Sequence, residues 1–209
     1  MPWRPLYASQ ATMKSWLGKV DTADDPELDR AVEAASRAVD HYCHRQFGRA
    51  ETAEARRYTA QRDRATGCWY VVTDDIHDAA GLTVAFDVAG DGTFTTVAPA
   101  GDVELRPVNA AMDRRPWTEV AIRRAAGWSP TGDVDATMVT ALYGWEAIPA
   151  EVVQATLIQA TRWMSRRDSP FGLAGGGSAL GGEIRLLPNL DADLGVLLHG
   201  VRRHWAVAG

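Results

Sequence analysis

The sequence has little of what covalent or metal-built scaffolds need, with only two cysteines, Cys43 and Cys68, in 209 residues. Two thiols exclude a disulfide framework and a four-thiolate metal site; they fit a reducing compartment and leave room for one bridge. No apolar run approaches the roughly 20 residues needed to cross a bilayer, and the opening Met-Pro-Trp-Arg-Pro lacks the apolar stretch of a signal peptide. A cytosolic product with no membrane partner is the expectation. There is no excess of positive charge: 22 Lys plus Arg face 27 Asp plus Glu, a net of −5. Attachment to nucleic acid by counterion release is therefore not expected. The acidity is local, since residues 51–148 hold 9 basic and 15 acidic side chains while the flanking segments are nearly balanced.

The local frames of catalysis are also missing. The glycine run at 172–182 is not followed by Gly-Lys-Ser/Thr and fits no strand-to-helix dinucleotide fingerprint, so it reads as a loop or linker. No Gly-x-Ser-x-Gly surrounds a serine; Ser178 has Gly176 before it but Leu180 after it. His41 and His44, at i and i+3 beside Cys43, could share a helix face, yet further ligands are not evident. Asp74-Asp75 and the Asp133, Asp135 pair suit turns as well as metals. No catalytic, cofactor-binding or metal-ligating residue is assigned, and no cofactor or enzymatic activity is expected.

What is present is an ordinary globular composition, 46% hydrophobic and 23% charged. A chain of this size can bury about 70% of its surface. Ser9 caps a short predicted helix to Lys19, carrying Met13, Trp16 and Leu17 on one side. Asp24-Asp25-Pro26-Glu27 is a start signal, with Asp24 and Glu27 able to form a capping box. A long helix with Leu28, Ala31, Val32, Ala35, Val39 and Tyr42 inward should follow, running towards Phe47 and Gly48.

From about 53 the pattern becomes β-branched and aromatic. Strands are predicted at 68–73, 82–88, 93–97, 103–106, 118–122 and 138–143, with a hairpin turn at Ala89-Gly90-Asp91-Gly92. Helix returns after Pro149, with Val153, Leu157, Ala160 and Met164 inward, and a last helix is predicted from about Asp191 to Trp205. The expected fold class is α+β: a bundle of about four helices from residues 1–52 and 148–209, with an inserted antiparallel β module at 53–147. Of the eight tryptophans, Trp3 and Trp117 lie in Pro- and Arg-containing stretches where a partner could cover them.

Read together, the ends resemble the head-to-tail adaptor (head completion, connector) proteins of long-tailed double-stranded DNA phages. The likeness is carried by Tyr7-Ala8; by Asp24-Asp25-Pro26-Glu27-Leu28; and by the helix Ala34 to Cys43 closing on Arg45-Gln46-Phe47-Gly48. It continues in Val139 to Trp145, Ile148-Pro149-Ala150-Glu151-Val152, Ala155 to Ala160, Arg166 to Gly172 and Leu190 to Asp193. In order, these pieces span about two-thirds of the chain.

The resemblance implies a virion protein of the head-tail neck, assembled in the host cytoplasm. It would form a ring, twelvefold, docked below the portal protein and offering a platform to a tail-proximal connector, stopper or tail terminator. Genomic double-stranded DNA would pass through without sequence-specific binding, and an acidic wall would repel its phosphates. Residues 171–209 are expected to supply much of the portal or neighbour contact, with Arg166, Arg167, Phe171, Arg185, Leu187, Leu198, Arg202, Arg203 and Trp205 as the candidate residues. The β module would form a peripheral or tail-facing platform. The alternatives are a neighbouring connector or stopper, a cytosolic module binding a ligand through its β part, and an enzyme with an unfamiliar site.

Overall fold

The computed structural model describes residues 3–19, 22–123, 129–167, 173–174, 184–185 and 192–203. Its fold class is α+β, with four helices and a seven-stranded antiparallel sheet among the described residues. The chain divides into two units: one of residues 1–5 and 47–147, the other of residues 6–46 and 148–209.

In the helical unit, α1 (Gln10–Leu17) starts on Ser9, whose hydroxyl accepts the Thr12 N–H, and stops at Gly18 in the left-handed region. Helix α2 (Asp25–Cys43) begins where Pro26 fits the first turn, but the expected capping box does not form. The Asp24 carboxylate instead takes Lys19 and Arg167, at 3.1 Å for the latter, because two cations outcompete a lone amide for it. Helix α2 also ends earlier than predicted. His44 adopts φ 53° and its N–H returns to the Asp40 carbonyl, so Phe47 and Gly48 lie beyond the helix. Helix α3 (Ala150–Arg167) follows Pro149.

In one core cluster of this unit, Met13, Leu28, Val32 and Ala35 meet Leu157, Ala160 and Met164. The alanines let the helices approach closely. Helix α4 (Ala192–Leu198) is shorter than the predicted 191–205. The Val201 and Arg202 N–H groups both return to the Leu198 carbonyl, and the Arg203 N–H donates to the Cys43 carbonyl, so the chain turns onto the end of α2. Most of the expected glycine-rich loop lies outside the described residues. Leu173–Ala174 (β8) pairs antiparallel with Ile184–Arg185 (β9).

The second unit is the sheet. Its strands are β1 (Glu54–Tyr58), β2 (Gln61–Arg62), β3 (Trp69–Phe86), β4 (Thr96–Val97), β5 (Val103–Arg106), β6 (Trp117–Ile122) and β7 (Thr137–Tyr143), with the main order β1-β7-β3-β6-β5. The two strands predicted at 68–73 and 82–88 are one bent strand. Five steps along β3, from Asp78 to Thr83, stand against two along β7, from Leu142 to Thr140. This bulge, with Gly81 at φ 71°, lets β3 turn from β6 towards β7.

The predicted hairpin turn has a specific clamp: the Asp87 carboxylate accepts the N–H groups of Gly90, Asp91 and Gly92 at 2.7 to 3.3 Å. Alternation along β7 places Thr137, Val139, Ala141 and Tyr143 inward, where they join Val71, Ile76, Val84, Phe86, Val120 and Ile122 in the core.

Candidate interaction surfaces

The helical unit holds the residues proposed from sequence as a contact surface, and it separates them. Arg166 and Arg167 close α3, where cations suit the helix dipole. Arg167 reaches Asp24 at the start of α2, and Lys19 and Arg167 together hold the Asp24 carboxyl below its ordinary value by hydrogen bonding. Arg202 lies over the Tyr42 ring at 4.8 Å, and Arg203 follows at the Cys43 end of the same helix. With 19 residues in α2, the two arginine pairs stand about 28 Å apart along its axis. Leu198 is 1% exposed and packs inside the unit, so it orders α4 rather than presenting a surface. Phe171, Leu187 and Trp205, and the side chain of Arg185, lie outside the described residues.

The candidate chemical clusters are dispersed. Cys43 is buried and its thiol is pushed up to about 12, chiefly by burial. Cys43 and Cys68 are both free thiols. Asp74 and Asp75 are divided by strand alternation: Asp74 accepts from Arg56 at 2.8 Å and Tyr58 at 3.1 Å, whereas Asp75 accepts from the Trp145 indole at 2.9 Å. Among the described residues no group of three or more His, Cys, Asp or Glu is placed to hold a metal.

Trp3 is partly buried by its own chain, where the Arg56 guanidinium lies 4.6 Å over its ring and 4.0 Å over that of Tyr143. Trp117 begins β6 and packs partly against the core.

Two features of the sheet unit were missed in sequence. The first is a joint: the Gly144 N–H donates to the Asp75 carbonyl at 2.6 Å, and the Trp145 N–H to the Gly48 carbonyl at 2.9 Å. Phe47 and Trp145 pack with ring centroids 5.2 Å apart. The entering and leaving strands of the unit are thereby fixed side by side. The second is a shallow recess lined by His77, Ala111, Arg114, Arg115, Pro116, Trp117 and Glu146. Its only sequence signal is the run Arg114-Arg115-Pro116-Trp117.

No family model matches the chain, and no curated protein matches it. Among solved structures, the chain is similar to one in the virion of a native gene transfer agent particle, at 18% identity and a TM-score of 0.45, covering 97% of this chain and 93% of that one. It is also similar to a chain in the neck of a native gene transfer agent particle computed with C12 symmetry, at 18% identity and a TM-score of 0.39, covering 95% and 90%.

Proposed function

We propose that this protein is a structural subunit of the neck of a phage-like particle, a head-to-tail adaptor that forms a ring below the portal. One observation carries the reading: the sequence pieces that resemble adaptors, remote from one another in the chain, are bonded together in space. Tyr7, from the first piece, donates its hydroxyl to Asp40 and its N–H to Ser36 at 3.1 Å, both in the third piece. Gly48 closes that third piece and accepts the N–H of Trp145, which closes the Val139 to Trp145 piece. The resemblance therefore follows the contacts that hold each unit, which composition alone does not produce.

The role is geometric and requires no bond to be made or broken. Each copy offers one surface to one neighbour and a different surface to the other, and such heterologous contacts close into a ring when the rotation fits, here twelve copies. Weak individual contacts with the portal add through that repetition. Arg166, Arg167, Arg202 and Arg203 are the portal- or neighbour-facing residues of this reading. Its test is electron microscopy of the purified protein mixed with portal rings. The expected result is a second ring seated on the portal. Portal rings left bare at saturating protein, with the chain folded by circular dichroism, would overturn it.

A further inference from the structure

Among the described residues of the sheet unit, the two most exposed large apolar side chains are Met112, 83% exposed, and Val134, 82% exposed. Val134 is flanked by acids alone, whereas Met112 is followed by Asp113 and then by the pair Arg114 and Arg115. Met112 stands with Val108, 64% exposed, on the coiled loop 107–116, followed by Arg114 and Arg115 on the recess. Val134 stands between Asp133 and Asp135 on the segment 129–136. Among the described residues, none of these four charged side chains has an ion pair or a side-chain hydrogen bond within the chain.

Both loops are held by their backbones. The Asp135 N–H donates to the Thr59 hydroxyl at 3.0 Å and the Ala136 N–H to the Asp133 carbonyl at 3.3 Å, while the Arg115 N–H donates to the Ala110 carbonyl at 2.9 Å. Arg114 and Asp135 each occupy the left-handed region, at φ 53° and φ 56°. Holding such a conformation without glycine takes support from the surrounding loop. The side chains are thus presented outward from fixed backbones, which lowers the ordering cost of binding.

The register keeps the two loops from meeting within one copy. Trp117, just after the basic loop, faces Ile76, and Ile76 faces Tyr143 at the end of β7. The acidic loop leads directly into Thr137 at the start of the same strand. Six strand steps place the patches about 20 Å apart. Two complementary patches at opposite ends of one unit do not pair about a twofold axis patch to like patch. Each meets its complement on another copy, and the head-to-tail arrangement repeats that contact from one copy to the next, as a ring requires.

We propose that the acidic loop of one copy docks on the basic loop of a second copy, Val134 against Val108 and Met112, with Asp133 and Asp135 facing Arg114 and Arg115. The partner is another copy of this chain, a choice that rests on the ring reading above. Asp113 and Glu146 are the acids of the basic patch: Asp113 lies between Met112 and Arg114 outside the recess lining, and Glu146 lines the recess beside the two arginines. Apolar contact supplies the attraction and the charges fix the register and exclude like-to-like pairing.

The test uses the full chain and sedimentation at low salt. Arg114→Glu with Arg115→Glu puts acid against acid, and Asp133→Lys with Asp135→Lys puts base against base. Each double variant alone should self-associate at least tenfold more weakly than wild type. An equal mixture of the two should regain association, because every contact then joins opposite charges in alternating order. This mixed rescue separates docking from misfolding. A wild-type chain still monomeric at about 1 mM, or a mixture no better than its components, overturns the proposal. Failure here with rings still seated on the portal leaves the adaptor reading standing; loop-dependent association with bare portals does the reverse.

Discussion

The indole N–H of Trp145 donates to the Asp75 carboxylate at 2.9 Å across 70 residues of sequence, and both side chains are buried, at 3% and 4% exposure. Trp145→Phe keeps the ring that packs on Phe47 but removes the donor. A buried carboxylate that loses such a bond costs about 1–3 kcal/mol. Urea unfolding followed by circular dichroism should show that loss for Trp145→Phe. A matching loss is expected for Asp75→Ala, and a double variant less destabilised than the sum would identify the bond itself.

The same joint makes Gly144 the least replaceable glycine described. It sits at φ 115°, and a Cβ there would lie 2.1 Å from the Gly48 carbonyl oxygen and 2.4 Å from the Arg49 Cα. Neither neighbour is a movable side-chain tip. Gly144→Ala should therefore separate the entering and leaving strands and cost more than about 4 kcal/mol, seen as insoluble or unfolded protein. Gly92→Ala is the control: at φ 84° with nothing within 4 Å of its added carbon, it should cost only about 1 kcal/mol.

The sequence made the helix starts legible because caps and prolines act locally: Ser9, Pro26 and Pro149 all begin helices where expected. The strands at 103–106, 118–122 and 138–143 were legible through β-branched alternation. What could not be read was set by distant partners. Asp24 looked like a cap until Lys19 and Arg167 reached it, and 68–73 and 82–88 looked like separate strands until β7 received the bulge between them. The arginines of the candidate surface were visible one by one, but their division between the two ends of α2 follows from Asp24 and Cys43, which no local pattern connects to them.

Stability should fall at alkaline pH. Burial raises the Cys43 thiol from 9.0 to about 12. It likewise raises the Tyr58 phenol from 10.0 to about 12, and pushes the Tyr143 phenol upward as well. In each case the folded state keeps a proton that the unfolded chain releases, so stability is full below the unfolded value and declines as pH climbs towards the folded one. Urea midpoints should be level from pH 7 to 8.5 and drop by pH 10.5, with a shallower drop for Cys43→Ala. A thiol reagent at neutral pH should titrate Cys68 alone in the folded protein and both cysteines in urea, because Cys43 is 0% exposed.

The two arginine pairs at the ends of α2 offer a test of how the proposed adaptor would meet its portal. Arg166→Ala with Arg167→Ala removes charge at the Asp24 end, and Arg202→Ala with Arg203→Ala removes it at the Cys43 end. At about 28 Å the pairs are too distant to screen or reposition each other at physiological salt. If portal contact spans both ends, each double variant should weaken portal binding by about tenfold and the quadruple variant by the product. If contact is confined to the C-terminal end, only the Arg202 and Arg203 changes should matter. Arg167→Ala will also leave Asp24 to Lys19 alone, so its effect on helix stability has to be measured beside binding. A loss of portal affinity with an unchanged melting temperature would then assign that end of the helix to the interface.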